Sequence, residues 1–239
     1  MERLSKVFIS HLHSDHILGL PRWLVMRQKY TSKATIYINQ ALTGKLKQII
    51  KAFTEAEETS LCYEIVALQE GDKVDLGNNR FFEVFESEHI IPTMGLIIYE
   101  KRKRLSKQYQ NASKEEIRAA VQSEKSINED SSWPILGYTA DTSIAIFERK
   151  PELLAVDTLV AECFLIDDFL PEGPVYEVNA HQGIQKYHTK LSQLVKRVKD
   201  FTGNNLVLYH VPERYTNCDL YAYILPRLPK SQRPKLQII

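Results

Sequence analysis

The short apolar run Val7-Phe8-Ile9 leads directly into Ser10-His11-Leu12-His13-Ser14-Asp15-His16-Ile17-Leu18-Gly19. Three imidazoles and a carboxylate thus fall within six positions, between a β-type run and the start of a helical pattern. A chain with this segment has to carry the cluster on a loop held at the end of a strand. A core cannot hold three imidazoles unpaired, and a solvated loop has no use for them. Metal ligation does, because neutral imidazole and carboxylate are standard ligands for zinc and similar ions. The competing reading is a chance concentration of polar loop residues.

The rest of the chain alternates β-type runs with helical patterns. Strands are expected at 6–10, 35–39, 64–68, 80–87, 95–100, 135–139, 159–163 and 206–210, and helices at 17–28, 40–52, 114–124, 142–150 and 190–201. Strands interleaved with helices indicate a layered α/β protein. The 239 residues suit one domain, 1–239, with a polar insertion at 101–132. That insertion opens with Lys101, Arg102, Lys103 and Arg104, continues with Lys107, and closes on Asn128-Glu129-Asp130-Ser131-Ser132. Its middle reads as an amphipathic helix with Ile117, Ala120 and Val121 on one face.

Composition narrows the class. A hydrophobic content of 44% is that of a soluble globular chain, and a net charge of +1 provides no global field toward nucleic acid or membrane. Cys62, Cys163 and Cys218 lie far apart without metal-type spacing, which argues against a disulfide framework and fits the reducing cytoplasm. No leader-type apolar segment or membrane-length run is present, so neither secretion nor a membrane partner is expected.

A two-metal site needs donors from several strand ends, and three more are available. His89 follows the run ending at Ser87, with Pro92 and Gly95 expected to set a turn behind it. Asp141 follows Thr139 and could bridge two cations, or cap a helix. His210 ends the buried-strand pattern Asn205-Leu206-Val207-Leu208-Tyr209. Taken singly, His89 and His210 read equally well as structural histidines. His188, in Tyr187-His188-Thr189-Lys190, is either a surface histidine near a helix start or a general acid. Glu162, at the end of Leu159-Val160-Ala161, could orient it.

In order along the chain these segments resemble the ribonuclease Z branch of the metallo-β-lactamase superfamily, the tRNA 3′-processing endonucleases. The stretch from Lys6 to Pro21 is similar to that branch almost throughout. His89-Ile90-Ile91-Pro92-Thr93-Met94-Gly95 resembles its His-x-x-Pro-x-x-Gly segment, and Thr139-Ala140-Asp141-Thr142 its Gly-Asp-Thr segment. Ala161-Glu162-Cys163-Phe164 resembles His-Glu-Ala-Thr with Ala161 in place of the histidine, and His188-Thr189 resembles His-Ser-Thr. His210-Val211-Pro212-Glu213-Arg214-Tyr215 resembles the final His-x-Ser-x-Arg-Tyr.

The resemblance implies a four-layer αββα sandwich with mixed sheets and the metals at one edge. It implies two Zn²⁺ ions (Mn²⁺ or Fe²⁺ as substitutes), one held by His11, His13 and His89, the other by Asp15, His16 and His210, with Asp141 bridging. Asp15 would also orient the attacking hydroxide, and His188, supported by Glu162, would protonate the leaving 3′ oxygen. The implied substrate is RNA, a precursor tRNA losing its 3′ trailer, and the implied assembly a homodimer in the cytoplasm. Two departures shape the expectations. Ten residues precede His11, fewer than the family carries, so its N-terminal strands are expected to be missing. The long tRNA-gripping arm is expected to be replaced by the shorter segment around Arg102 and Arg104. The alternatives are a hydrolase of a small phosphodiester such as a cyclic nucleotide, and a non-catalytic metal-binding remnant.

Overall fold

The computed structural model describes residues 4–28, 33–123, 126–164, 187–211 and 219–239. A small sheet holds β1 (Lys6–Ile9), β2 (Ala34–Asn39) and β3 (Tyr63–Leu68), all parallel and in that order. Helices α1 (Ser14–Ile17) and α2 (Gly19–Arg27) connect the first pair, and α3 (Thr43–Ala56) the second. A larger sheet holds β4 (Lys73–Gly77), β5 (Arg80–Ser87), β6 (Thr93–Leu105), β7 (Asn128–Tyr138), β8 (Thr158–Glu162), β9 (Asn205–Tyr209) and β10 (Leu236–Ile238). Its first four strands form an antiparallel meander, while β8, β9 and β10 continue parallel to β7. Helices α4 (Lys114–Gln122), α5 (Ile146–Arg149), α6 (Leu191–Val198) and α7 (Leu220–Ile224) are the other α-helices among the described residues.

Side-chain alternation sorts these elements into layers. In β2, Ile36 and Ile38 face α2 and α3 and pack with Leu20, Leu24, Leu42, Leu46 and Ile50. Tyr37, between them, faces the other way and joins Phe82, Val84, Met94 and Leu96 of the large sheet. The ring of Phe82 meets Tyr37 and Phe8 edge-on at centroid distances of 5.5 and 6.0 Å. On the far side of the large sheet, Phe85, Ile97, Leu159 and Leu206 pack against Ile146, Phe147, Leu191, Leu194 and Val198. The result is helix, sheet, sheet, helix: the αββα sandwich with mixed sheets.

Several elements differ from their sequence expectation for identifiable reasons. The helix expected from 17 begins at Ser14, so Asp15 and His16 sit on its first turn. The helix expected at 142–150 is reduced to Ile146–Arg149 and followed by a 3-10 segment, Pro151–Ala155. Thr142 and Ser143 are engaged in side-chain and backbone bonds to neighbouring loops, and Pro151 disfavours helical backbone at the residue before it. The basic run 101–104, expected to open an insertion between two strands, extends β6: β6 and β7 stay paired from Lys101↔Ser132 to Leu105↔Asn128. Opposite charges face each other there, with Arg104 Nε 2.8 Å from Glu129, and such cross-strand pairs stabilise a ladder. Above it α4 is closed by a Ser113–Glu116 capping box; position 124, expected to end this helix, is outside the described residues. The short strands β4 and β10 have no strong local pattern and were not expected.

Gly95, expected to open a strand and to help set the turn after His89, lies inside β6, directly across from Phe85 of β5. A Cβ at this position would lie 2.4 Å from the Phe85 ring and 2.5 Å from the Tyr138 carbonyl oxygen. The glycine is needed because strands on both sides approach it. Gly95→Ala should destabilise the fold by about 1–3 kcal/mol, as overpacking does; urea unfolding would show a lower midpoint with unchanged slope.

Candidate metal centre

β1, β5, β7, β8 and β9 all deliver their ends to one edge of the sandwich. His11 follows β1, His89 follows β5, Asp141 follows β7, Glu162 is the last residue of β8, and His210 follows β9. Backbone bonds stitch these ends together: Met94 N donates to Ser10 O (3.1 Å), and Thr139 N to Val160 O (3.1 Å). The Ser87 hydroxyl donates to Thr139 O at 2.7 Å. All seven expected ligands, together with His188 and Glu162, meet there. Six of the chain's seven histidines are in this cluster, and the seventh, His181, is outside the described residues.

Among the described residues the donor atoms form three overlapping groups, each with its atoms within 4.8 Å of one another. They are His11, His13, His89 and Asp141; Asp15, His16 and His210; and Asp141, Glu162, His188 and His210. In the first, His13 Nδ1 lies 3.1 Å from His11 Nε2 and 3.2 Å from His89 Nε2. A neutral ring nitrogen has one lone pair or one hydrogen, so Nδ1 cannot satisfy both neighbours by hydrogen bonding. A shared cation satisfies all three. Donors about 2.0–2.1 Å from zinc at tetrahedral corners are separated by roughly 3.4 Å, close to these spacings. In the second group, Asp15 Oδ2 is 3.3 Å from His16 Nε2 and 3.2 Å from His210 Nε2.

Asp141 joins the groups. Its Oδ2 is 3.7 Å from His11 Nε2 and 3.4 Å from His210 Nδ1, while Oδ1 is 3.4 Å from His16 Nε2. The donor set therefore fits two adjacent cations with one carboxylate between them. The backbone is forced to present them: Ala140 (φ 54°) and His210 (φ 62°) are left-handed without being glycine. Such residues cost of order 1–3 kcal/mol each and gather at functional sites.

Electrostatics prepares the donors. Burial, reinforced by neighbouring His16, pushes His11 down to about 3, although Asp141 pulls the other way. Burial likewise lowers His89 to about 4, and it lowers His13 despite the opposing Asp141 and Asp15. These three rings are neutral near pH 7, with lone pairs available. For Asp141, burial favours the acid, but the hydrogen bond with His16 and the nearby His210, His16 and His11 outweigh it and hold the carboxyl ionised. His210 moves upward: burial opposes its charge, yet the Glu162 hydrogen bond and the Asp141, Glu162 and Asp15 carboxylates prevail.

His188 is buried, not a surface histidine. Its Nδ1 bonds Glu162 Oε1. Glu162 also accepts from Thr142 N at 2.6 Å and lies 3.1 Å from His210 Nδ1. With Nδ1 taken, Nε2 is the ring nitrogen left to meet a substrate. Phe164 stacks on the His188 ring, with centroids 4.3 Å apart. Phe164, Ser10 and Tyr209 were missed as site residues; only the placement of Phe164 two residues after Glu162 hinted at its role. Residues 212–215, the end of the last motif, are outside the described residues.

Four αββα layers with histidines and carboxylates gathered at one edge define a metallo-β-lactamase-fold protein. The likeness to the metallo-β-lactamase fold protein YhfI of Bacillus subtilis agrees: TM-score 0.62 at 17% identity, covering 100% of this chain and 76% of that one. The chain belongs to the family described as Anti-Pycsar protein Apyc1, whose model matches residues 1–134. Its curated relatives include tRNase Z enzymes. The tRNase Z TRZ2, chloroplastic, of Arabidopsis thaliana is 26% identical over 212 residues, which is 87% of this chain and 58% of the relative. The tRNase Z TRZ1 of the same plant is 25% identical over 213 residues, 88% of this chain and 73% of the relative. The chain thus spans between about half and three quarters of the relatives it matches. Fold and donor set together describe a site able to hold metal ions at the edge of the sandwich.

Removing the ring that two others converge on tests the cluster directly. His13→Ala should lose bound metal, taking the content measured by plasma mass spectrometry below the two equivalents per chain expected of the parent. Retention of both equivalents would locate the ions elsewhere.

Proposed function

We propose that this chain is a two-metal phosphodiesterase acting on RNA, removing 3′ trailers from tRNA precursors. The observation that carries the reading is the His188–Glu162 pair, a buried imidazole held by a carboxylate beside the paired donor sets. In this reading the seven ligands are His11, His13 and His89 for one ion, Asp15, His16 and His210 for the other, and Asp141 for both. Bound zinc, or manganese or iron, would polarise the phosphodiester and acidify a water.

The chain's own groups handle the protons and the geometry. Asp15, half exposed at the rim, orients the attacking water and takes up its proton. His188 donates its Nε2 proton to the leaving 3′ oxygen as the P–O3′ bond breaks and the new P–O bond forms. Glu162 stabilises the charged ring before transfer and fixes which nitrogen faces the substrate. The products are a 3′ hydroxyl on the tRNA and a 5′ phosphate on the trailer. RNA phosphates would meet the basic β6 ladder, where Lys101 and Lys103 complement the Glu-paired Arg102 and Arg104, and affinity should fall with salt.

A second reading keeps the chemistry and changes the substrate. The β6–β7 connection is a paired ladder carrying one short helix, which favours a small phosphodiester such as a cyclic nucleotide over a gripped tRNA. A homodimer and a cytoplasmic location come with the ribonuclease Z resemblance. Among the described residues, no helix is long and apolar enough to cross a membrane.

The metal-loaded protein should release the 3′ trailer from a precursor tRNA. His188→Ala should lower kcat by about 10²–10⁴-fold, the usual contribution of a positioned acid, while both metals remain bound. An uncut precursor with ready turnover of bis-p-nitrophenyl phosphate or a cyclic nucleotide would favour the second reading. Two bound metals without any turnover would leave a metal-binding remnant. Loss of the metals in His188→Ala would remove it from the role of acid.

A further inference from the structure

Phe164 lies against the proposed acid, and the proposed chemistry does not use it. Its ring stacks on His188 with centroids 4.3 Å apart and planes inclined by 21°, and it meets the His210 ring at 5.2 Å and 41°. Its backbone N donates to Thr189 O at 3.1 Å, one residue after His188. The Thr189 hydroxyl donates in turn to Thr142 O at 2.9 Å, and Thr142 N donates to Glu162. The loop carrying His188 is thus tied both to the end of β8 and to the loop carrying Asp141. Phe164 stands where the His-Glu-Ala-Thr segment it resembles has a threonine, a side chain with no ring to stack.

We propose that Phe164 is a positioning residue for His188: its ring holds the plane of the imidazole so that Nε2 faces the leaving oxygen. The inference rests on the reading of His188 as the acid. A hydrogen bond fixes a point and a direction, but not a plane. The bond from Nδ1 to Glu162 Oε1 leaves the ring able to rock about that direction, because the second side-chain torsion of histidine has a broad minimum. Rocking carries Nε2 out of line. A flat ring lying nearly parallel on the imidazole opposes this motion, and aromatic faces attract in such an offset stack. The His89 ring closes from another side, edge-on at 72° with centroids 4.9 Å apart. An aliphatic side chain of similar volume would fill the space of Phe164 without defining a plane. Placement matters because an error of about 1 Å can slow a reaction by about 100-fold.

The test compares Phe164→Leu, which fills the space, and Phe164→Tyr, which keeps a flat ring, with the parent and His188→Ala, all loaded with zinc. Two leaving groups separate the positioning of an acid from general damage to the site. A precursor tRNA, or a cyclic nucleotide if the parent cleaves only that, expels a ribose oxygen and needs a proton. Bis-p-nitrophenyl phosphate expels p-nitrophenolate, which leaves as the anion. Phe164→Leu should lower kcat on the ribose substrate by about 10–100-fold with KM unchanged, lose little on bis-p-nitrophenyl phosphate, and keep both zinc ions. Phe164→Tyr should restore kcat. In the His188→Ala background Phe164→Leu should cost nothing further, since residues that act as a unit are not additive. A readout without turnover joins these: in ¹⁵N-histidine spectra the His188 Nδ1 proton should exchange with water about ten-fold faster in Phe164→Leu than in the parent. Circular dichroism checks folding, and Phe164→Met takes the place of Phe164→Leu should the latter not fold. Parental kcat in the folded variant, an equal loss on both leaving groups, or a Phe164→Tyr as slow as Phe164→Leu overturns the positioning role. Parental cleavage of the ribose substrate by His188→Ala, or a parent without turnover on any of the three substrates, overturns the acid reading and this role with it. A deficient His188→Ala beside a parental Phe164→Leu overturns the role of Phe164 alone.

Discussion

The buried Asp141 carboxylate is the constraint around which this edge of the molecule is organised. Its side chain is 1% exposed, and an ionised carboxylate in that position is costly unless it is compensated on every side. His11, His16 and His210 lie within 3.7 Å of its oxygens and Tyr209 bonds one of them. Those partners come from the end of β9 and from the residues beyond β1 and β9, while Asp141 itself follows β7. Compensating the charge therefore requires β1, β7 and β9 to end at one edge, and the two sheets to keep a fixed offset.

The layer structure makes that offset rigid. Tyr37 and Phe8 of the small sheet interlock with Phe82 of the large one, and Met94 N bonds Ser10 O across the sheets, one residue before His11. Packed interiors resist small displacements, so loops leaving them keep ligand spacing that loops alone would not. The strain at Ala140 and His210 fits the same logic. Each sits beside or within the donor set, and a non-glycine residue persists in left-handed backbone only where surrounding contacts over-determine it.

How much of this was legible in the sequence depended on whether the signal was local. His11, His13, Asp15 and His16 were visible because four donors crowd one strand end, and His89, Asp141 and His210 because each follows a β-type run. The core strands were visible from their alternation. The extension of β6 was not, because Lys101-Arg102-Lys103-Arg104 reads as part of a polar insertion until the partner strand supplies the opposite charge at Glu129. Gly95 was legible as a strand residue, but the need for glycine there was not: it comes from the Phe85 ring and a carbonyl on the next strand, contacts set by pairing and not by neighbours in sequence. Ser10 and Tyr209 looked like ordinary strand residues. Tyr209 meets Asp141 only through the registers that put Tyr138 beside Val160 and Glu162 beside Tyr209, which no local pattern encodes.

Glu162 links the donor cluster to His188. One oxygen accepts from Thr142 N, immediately after Asp141, and the other contacts both His188 and His210. A carboxylate with one oxygen anchored on backbone and the other shared by two imidazoles cannot serve them equally. Its charge on that side is divided between a ring of the donor cluster and a ring beside it, so the position of His188 is tied to that of His210 through a single oxygen atom. That sharing is a consequence of β8 and β9 ending in register beside the loop that carries Asp141.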